Sequence, residues 1–272
     1  MSARPKRSLS QNFLVDPNLR RKVVEELGPV GAEAILEVGP GHGELTELLL
    51  QRAEHIVVIE KDDELAAGLE ARWGARSGLR VVNGDALEVD LTRDLPAGAP
   101  YSILSNIPYA ITSPLLFRFL DLDPPPRRIV ATVQLEVADR IIAKPGSRAY
   151  GALSVGVQVR ADARIAFRIG RRAFRPVPAV DSAAIVMDRR SDALSAASFA
   201  DVRRLTRVAF GQRRKQLQKI LRTSPALGLS AEAVAEVLEQ VGLDGRMRPE
   251  QLAPHEFVVL AAKIARRTER PH

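Results

Sequence analysis

Three groups of residues in this 272-residue chain have types and spacings suited to chemistry. The first is Asn106-Ile107-Pro108-Tyr109. It follows an apolar run over residues 101–105 that reads as a buried strand, and it precedes a helix-like run to residue 120. A strand end of this kind is where open α/β sheets bind ligands. Pro108 fixes its own φ and biases Ile107 away from the helical region, so the backbone stays extended with carbonyls facing outward. Asn106 supplies an uncharged amide acceptor and Tyr109 a flat aromatic face. An acceptor pair beside a stacking ring suits a planar base with an exocyclic amino group. For the tetrapeptide alone, an ordinary turn with a core tyrosine is an equal alternative.

The second group is the turn Gly39-Pro40-Gly41-His42-Gly43-Glu44, between an apolar strand at 34–39 and a helical run at 45–50. Glycines in a strand-to-helix turn let backbone approach a ligand closely. The dinucleotide fingerprint needs a third glycine three positions after the second. Glu44 stands there, with Gly43 one place early, and an acid at a helix start repels pyrophosphate. The turn therefore fits a ligand without phosphate and argues against a nicotinamide or flavin dinucleotide. The third group is a pair of acids at successive strand ends, Glu60 after 55–59 and Asp85 after 79–83. An acid about 20 residues past the turn can accept both ribose hydroxyls of an adenosine. Asp85 can accept from an adenine amino group. Either acid alone reads as a helix cap; two beside a glycine turn favour a nucleoside site.

These positions require alternating strands and helices. Strands are expected at 34–39, 55–60, 79–83, 101–105 and 127–133, with helices between, which is a doubly wound α/β pattern. Asp16 and Pro17 open a helix that Gly28-Pro29 ends. Helices follow at 135–143 and 153–161, then strands at 163–169 and 183–187 flanking a proline-rich loop, which suggests a hairpin at one sheet edge. Phe174 in that loop is read as either core packing or an exposed stacking ring. Residues 189–198 read as a linker. Beyond it only helices are expected, at 199–210, 215–221, 231–241 and 254–266, with the basic knot Gly211-Gln212-Arg213-Arg214-Lys215 at a junction. The domain expectation is 1–190 for the ligand-binding domain and 191–272 for a small all-helical C-terminal domain.

Composition bounds the rest. The formal charge of +7 favours a polyanionic partner, most often nucleic acid. With no cysteine there is no disulfide, thiolate metal site or cysteine nucleophile. His42, His55, His255 and His272 show no ligand spacing, so no metal is expected. No apolar run reaches bilayer length and no signal core follows the basic N-terminus, so a soluble, cytoplasmic protein without a membrane partner is expected.

The motifs Gln11-Asn12-Phe13-Leu14, the glycine turn, Glu60, Gly84-Asp85-Ala86, Asn106-Ile107-Pro108-Tyr109, Phe174 with Pro176, Pro178 and Val180-Asp181-Ser182, and Phe210 with Gln212-Arg213-Arg214-Lys215 occur in this order over nearly the whole chain. Together they resemble the ribosomal RNA adenine dimethyltransferases, which use S-adenosylmethionine. Within that family the likeness is greatest to the KsgA-type small-subunit branch, which dimethylates two adjacent adenines near the 3′ end. The resemblance implies a Rossmann-like methyltransferase sheet with a helical RNA-binding domain. It implies that Asn12 and Leu14 close over the donor, Gly39 and Gly41 line its amino-acid part, Glu60 holds the ribose, Asp85 the adenine, and Asn106 the methionine side or the target base. Catalysis would fall to Asn106, the Ile107 carbonyl, Pro108, Tyr109 and Phe174, the two rings sandwiching the base. The expected partner is small-subunit rRNA or a pre-assembled small ribosomal subunit. The alternatives are a large-subunit enzyme of the macrolide-resistance type, a non-catalytic assembly factor on the same fold, and a DNA adenine methyltransferase. The last carries a related acceptor motif, usually with Asp first and Pro second, from which Asn106-Ile107 departs.

Overall fold

The computed structural model describes residues 12–268. Gln11, the basic N-terminal residues and His272 lie outside the described residues. The chain opens with a short strand β1 (Phe13–Leu14) and helix α1 (Pro17–Glu25). The Asp16 carboxylate accepts from the Asn18 and Leu19 N–H groups and caps α1. Next come β2 (Ala34–Val38), α2 (Thr46–Leu49), β3 (His55–Glu60), α3 (Asp63–Trp73), β4 (Leu79–Asn83) and β5 (Tyr101–Asn106). A 3₁₀ turn over Tyr109–Ile111 leads into α4 (Thr112–Asp121), then β6 (Arg128–Gln134), α5 (Leu135–Ile141) and α6 (Ala152–Gln158). Strands β7 (Ala161–Ile169), β8 (Phe174–Arg175) and β9 (Ser182–Arg189) follow. Four α-helices complete the described residues: α7 (Ala196–Gly211), α8 (Leu217–Thr223), α9 (Ala231–Val241) and α10 (Pro254–Thr268).

Seven strands form one sheet in the order β4-β3-β2-β5-β6-β9-β7. The pairs β2–β3, β3–β4, β2–β5 and β5–β6 are parallel, and β9 runs antiparallel to β6. Strand order reverses between β2 and β5, so the crevice for a ligand opens at their carboxyl ends. Both strands are buried along nearly their whole length, as expected of a parallel sheet covered on both faces. The two late strands do lie side by side at one edge, with β9 inserted between β6 and β7. Outside this sheet, β1 and β8 pair antiparallel with Leu14 opposite Phe174.

The chain divides into two compact units, 1–138 with 163–189 and 139–162 with 190–272. Residues 139–162 therefore belong with the C-terminal helices, which differs from a single cut at 190. The reason is packing: α6 lies on α7 and α10, and the Tyr150 hydroxyl donates to the Leu252 carbonyl at 2.9 Å. Within this unit Arg213 of the basic knot is consumed internally. It pairs with Glu250 and donates to the Ser147 and Arg148 carbonyls at 3.0 and 2.8 Å. Arg214 and Lys215 remain exposed. No described helix is long and apolar enough to cross a membrane.

Candidate nucleoside and acceptor site

The carboxyl ends of β2, β3, β4 and β5 surround a cavity of about 200 Å³. Its lining includes Asn12, Gly39, Gly41, Glu60, Asp85, Asn106, Ile107, Pro108 and Tyr109, which the sequence singled out. Phe13 and Lys61 also line it.

At the glycine turn, Gly41 has φ +62°, and a Cβ there would come within 2.6 Å of the Phe13 ring. That ring lies 4.6 Å from the His42 ring, so the N-terminal segment covers the turn. Gly43 answers to a different demand. A Cβ on it would meet Trp73 of α3 at 2.4 Å, so this glycine serves helix packing. Glu44, the acid that argues against pyrophosphate, is paired with Arg20 of α1 at 3.4 Å. Arg20 Nε also donates to the Leu14 carbonyl at 2.6 Å, tying the N-terminal segment to α1.

Glu60 ends β3 and is buried. One carboxylate oxygen accepts from the Gly41 N–H at 3.0 Å and the other from the Asp62 N–H at 2.9 Å. Burial raises its pKa against the lowering effect of these bonds. The cap of α3 is Asp62, which accepts from the Glu64 and Leu65 N–H groups, so Glu60 is not spent on capping. Asp85 accepts from the Lys61 ammonium at 2.6 Å and from the Leu87 N–H at 2.9 Å, and this pairing holds its carboxyl below the usual range. Beneath the turn, Glu37 of β2 is fully buried and accepts from the Thr46 hydroxyl at 2.6 Å, and burial pushes its pKa up to about 8. Two acids and one already paired cation suit a ligand rich in hydroxyl, amino and cationic groups. A phosphate finds no unpaired cation among the described lining residues.

Asn106 ends β5 beside Thr132 of β6, its register partner. The Thr132 hydroxyl donates to Asn106 Oδ1, and Asn106 Nδ2 donates to the Asn12 carbonyl at 2.9 Å. The Ile107 N–H donates to the Thr132 carbonyl at 3.2 Å. Pro108 sits at φ −58°, ψ 132°, so the extended backbone expected from the sequence is present. The Tyr109 hydroxyl shares a 2.6 Å hydrogen bond with that of Ser182, and burial raises its pKa.

Two expected site residues lie elsewhere. Phe174 is 1% exposed and packs in the core with Leu14, Ile169 and Ala184, so the expectation of an exposed stacking ring is corrected. The cause is the β1–β8 pair: side chains alternate along a strand, so Phe174 points inward and Arg175 outward. The exposed apolar residues of that loop are Val177 and Val180. Leu14 is likewise a core residue and does not line the cavity. Sequence reading missed Lys61 and Thr132, and it placed Ser182 in a motif without anticipating its bond to Tyr109. A lone threonine within the apolar run 129–133 was the available signal for Thr132. No group of three or more His, Cys, Asp or Glu fit for a metal occurs among the described residues.

The chain matches the family described as "Ribosomal RNA adenine dimethylase" over residues 3–264. Proteins named "Ribosomal RNA small subunit methyltransferase A" are similar to it. The one from Dinoroseobacter shibae is 41% identical, spanning 96% of this chain and 92% of that protein. The one from Geobacillus thermodenitrificans is 36% identical, spanning 94% and 89%. Among solved structures, a dimethyladenosine transferase from Plasmodium falciparum superposes with TM-score 0.79 at 23% identity, over 94% of this chain and 98% of that one. The 23S rRNA methyltransferase ErmE superposes with TM-score 0.66 at 26% identity, over 93% and 99%.

Proposed function

Because the chain belongs to the ribosomal RNA adenine dimethylase family, we propose that it transfers methyl groups from S-adenosylmethionine to N6 of two adjacent adenines near the 3′ end of small-subunit (16S) rRNA. The observation that carries this reading is a single cavity that joins a nucleoside-type pocket, with Glu60 and Asp85, to an acceptor strand end, with Asn106 and Tyr109. The relatives named for the small subunit favour that RNA as substrate, and we propose that the reaction takes place in the cytoplasm during subunit assembly.

In this reading Glu60 accepts both ribose hydroxyls of the donor and Asp85 its adenine amino group, while Gly39 and Gly41 admit its amino-acid end. S-adenosylmethionine, when bound, supplies a methyl already activated by its sulfonium. The chain's own task is therefore positioning. The N6 lone pair of adenine is delocalised into the ring. The remaining lone pair of Asn106 Oδ1 and the Ile107 carbonyl accept the two N6 hydrogens and draw the nitrogen toward tetrahedral geometry. Tyr109 stacks on the base. An amide is no strong base, so the proton leaves to water after attack. Phe174, being buried, is assigned no stacking role; it holds the loop through β8. Arg214 and Lys215 of the helical unit are assigned to RNA phosphates.

The test is incubation with methyl-labelled S-adenosylmethionine and unmodified small-subunit particles, with large-subunit RNA and duplex DNA in parallel. Dimethyladenosine in the small-subunit RNA is the expected result. Label only in large-subunit RNA, or particle binding without label, overturns it.

A further inference from the structure

Asn106 is the one acceptor side chain at the end of β5, and its usefulness depends on which way its amide faces. With Oδ1 toward an incoming amine it accepts a hydrogen; turned over, its NH₂ meets the amine donor to donor. Two neighbours decide the matter. The Asn12 carbonyl can only accept, so it takes Nδ2. The Thr132 hydroxyl then donates to Oδ1. Thr132 is 1% exposed, so no water competes for this bond. The same residue accepts from the Ile107 N–H through its carbonyl, which fixes the peptide leading to the second acceptor. Parallel register alone brings these groups together, because Asn106 and Thr132 are paired across β5 and β6.

We infer that Thr132 is a positioning residue for the methyl acceptor: its hydroxyl holds the Asn106 amide with the oxygen toward the target amine, and its carbonyl holds the Ile107 peptide. This inference rests on the methyltransferase reading above. It commits the Asn106 oxygen to two partners, the Thr132 hydroxyl and one amine hydrogen, and leaves the other hydrogen to the Ile107 carbonyl. Thr132 touches no reacting atom. Its effect therefore falls on turnover, and donor binding at Glu60 and Asp85 is untouched.

The test compares Thr132→Val, which keeps shape and strand propensity but removes the hydroxyl, with Thr132→Ser, which restores it. For Thr132→Val we expect kcat to fall about tenfold, the rate equivalent of one hydrogen bond. Donor dissociation constant and RNA KM should stay within about twofold, and Thr132→Ser should recover most of the rate. A second readout needs no reaction: hydrogen exchange of the Asn106 side-chain amide by ¹⁵N NMR, the resonance being assigned by its loss in Asn106→Asp. Exchange should accelerate in Thr132→Val and return in Thr132→Ser. Wild-type kcat in Thr132→Val overturns the inference, as does equal impairment of both variants or an unchanged amide exchange. If the wild type labels no adenine in any RNA, the functional reading falls, and amide exchange alone decides whether Thr132 holds Asn106.

Discussion

Replacing Glu60 by Gln separates the roles of charge and shape at the ribose end of the cavity. The carboxylate lies between two backbone donors, the Gly41 N–H at 3.0 Å and the Asp62 N–H at 2.9 Å. Glutamine has the same outline but one acceptor oxygen, so one N–H loses its partner, at a cost of about 1–3 kcal/mol. Removing a buried charge offsets that cost, because burial already disfavours the ionised form. Folding stability should therefore change little, by about 1 kcal/mol or less. Donor binding should not be spared. Ribose hydroxyls donate to a charged group in the wild type, and such bonds are worth about 1.5–3 kcal/mol each. Losing the charge and one acceptor should cost about 2 kcal/mol, an affinity about 30-fold weaker. Calorimetric titration with S-adenosylmethionine, alongside thermal unfolding, measures both. The pH dependence adds a sign. Only the ionised carboxylate accepts from both hydroxyls, so wild-type affinity should fall on acidification from above the usual carboxylate range. The Glu60 contribution to stability runs the other way. Its folded pKa is raised, so its contribution is complete below the ordinary value and is lost as pH rises through the raised one. Wild-type affinity in Glu60→Gln refutes the ribose assignment. A collapse of thermal stability with it shows that the carboxylate is chiefly structural.

Asn106→Ala should abolish turnover while donor affinity falls by less than about tenfold, since the donor pocket retains both acids; rapid turnover in a filter assay sinks the acceptor role. Tyr109→Ala should lose more turnover than Tyr109→Phe. Tyr109→Phe should itself lose about 1 kcal/mol of stability, because Ser182 is left without its 2.6 Å partner, and equal turnover losses would count against stacking. Glu37→Gln should flatten the fall of stability with pH: the wild-type group ionises at about 8 when folded, against the ordinary 4.5. Its contribution, on the order of a few kcal/mol, is full below that ordinary value and is lost as pH rises toward and through 8. Denaturant unfolding at pH 6 and 9 reads the difference, and parallel curves for the two proteins would contradict it.

What the sequence by itself determined was local. Strand ends, glycine turns and caps are set by neighbours in the chain, so Gly41, Glu60, Asp85 and the extended Asn106-Ile107-Pro108-Tyr109 segment were legible from residue type and spacing. The capping aspartate Asp16 belongs to the same class. Tertiary structure alone decided what depends on partners far along the chain. Pairing of β1 with β8, about 160 residues apart at Leu14 and Phe174 and so beyond any local signal, buries a ring that its proline-rich loop made look exposed. Packing of α6 on α7 assigns residues 139–162 to the helical unit, although strand β7 begins within them at Ala161. The orientation of the Asn106 amide comes from Thr132 and Asn12, on segments that meet it only in the folded protein. An amide is symmetrical in outline, so only the donors and acceptors that surround it after folding choose its face.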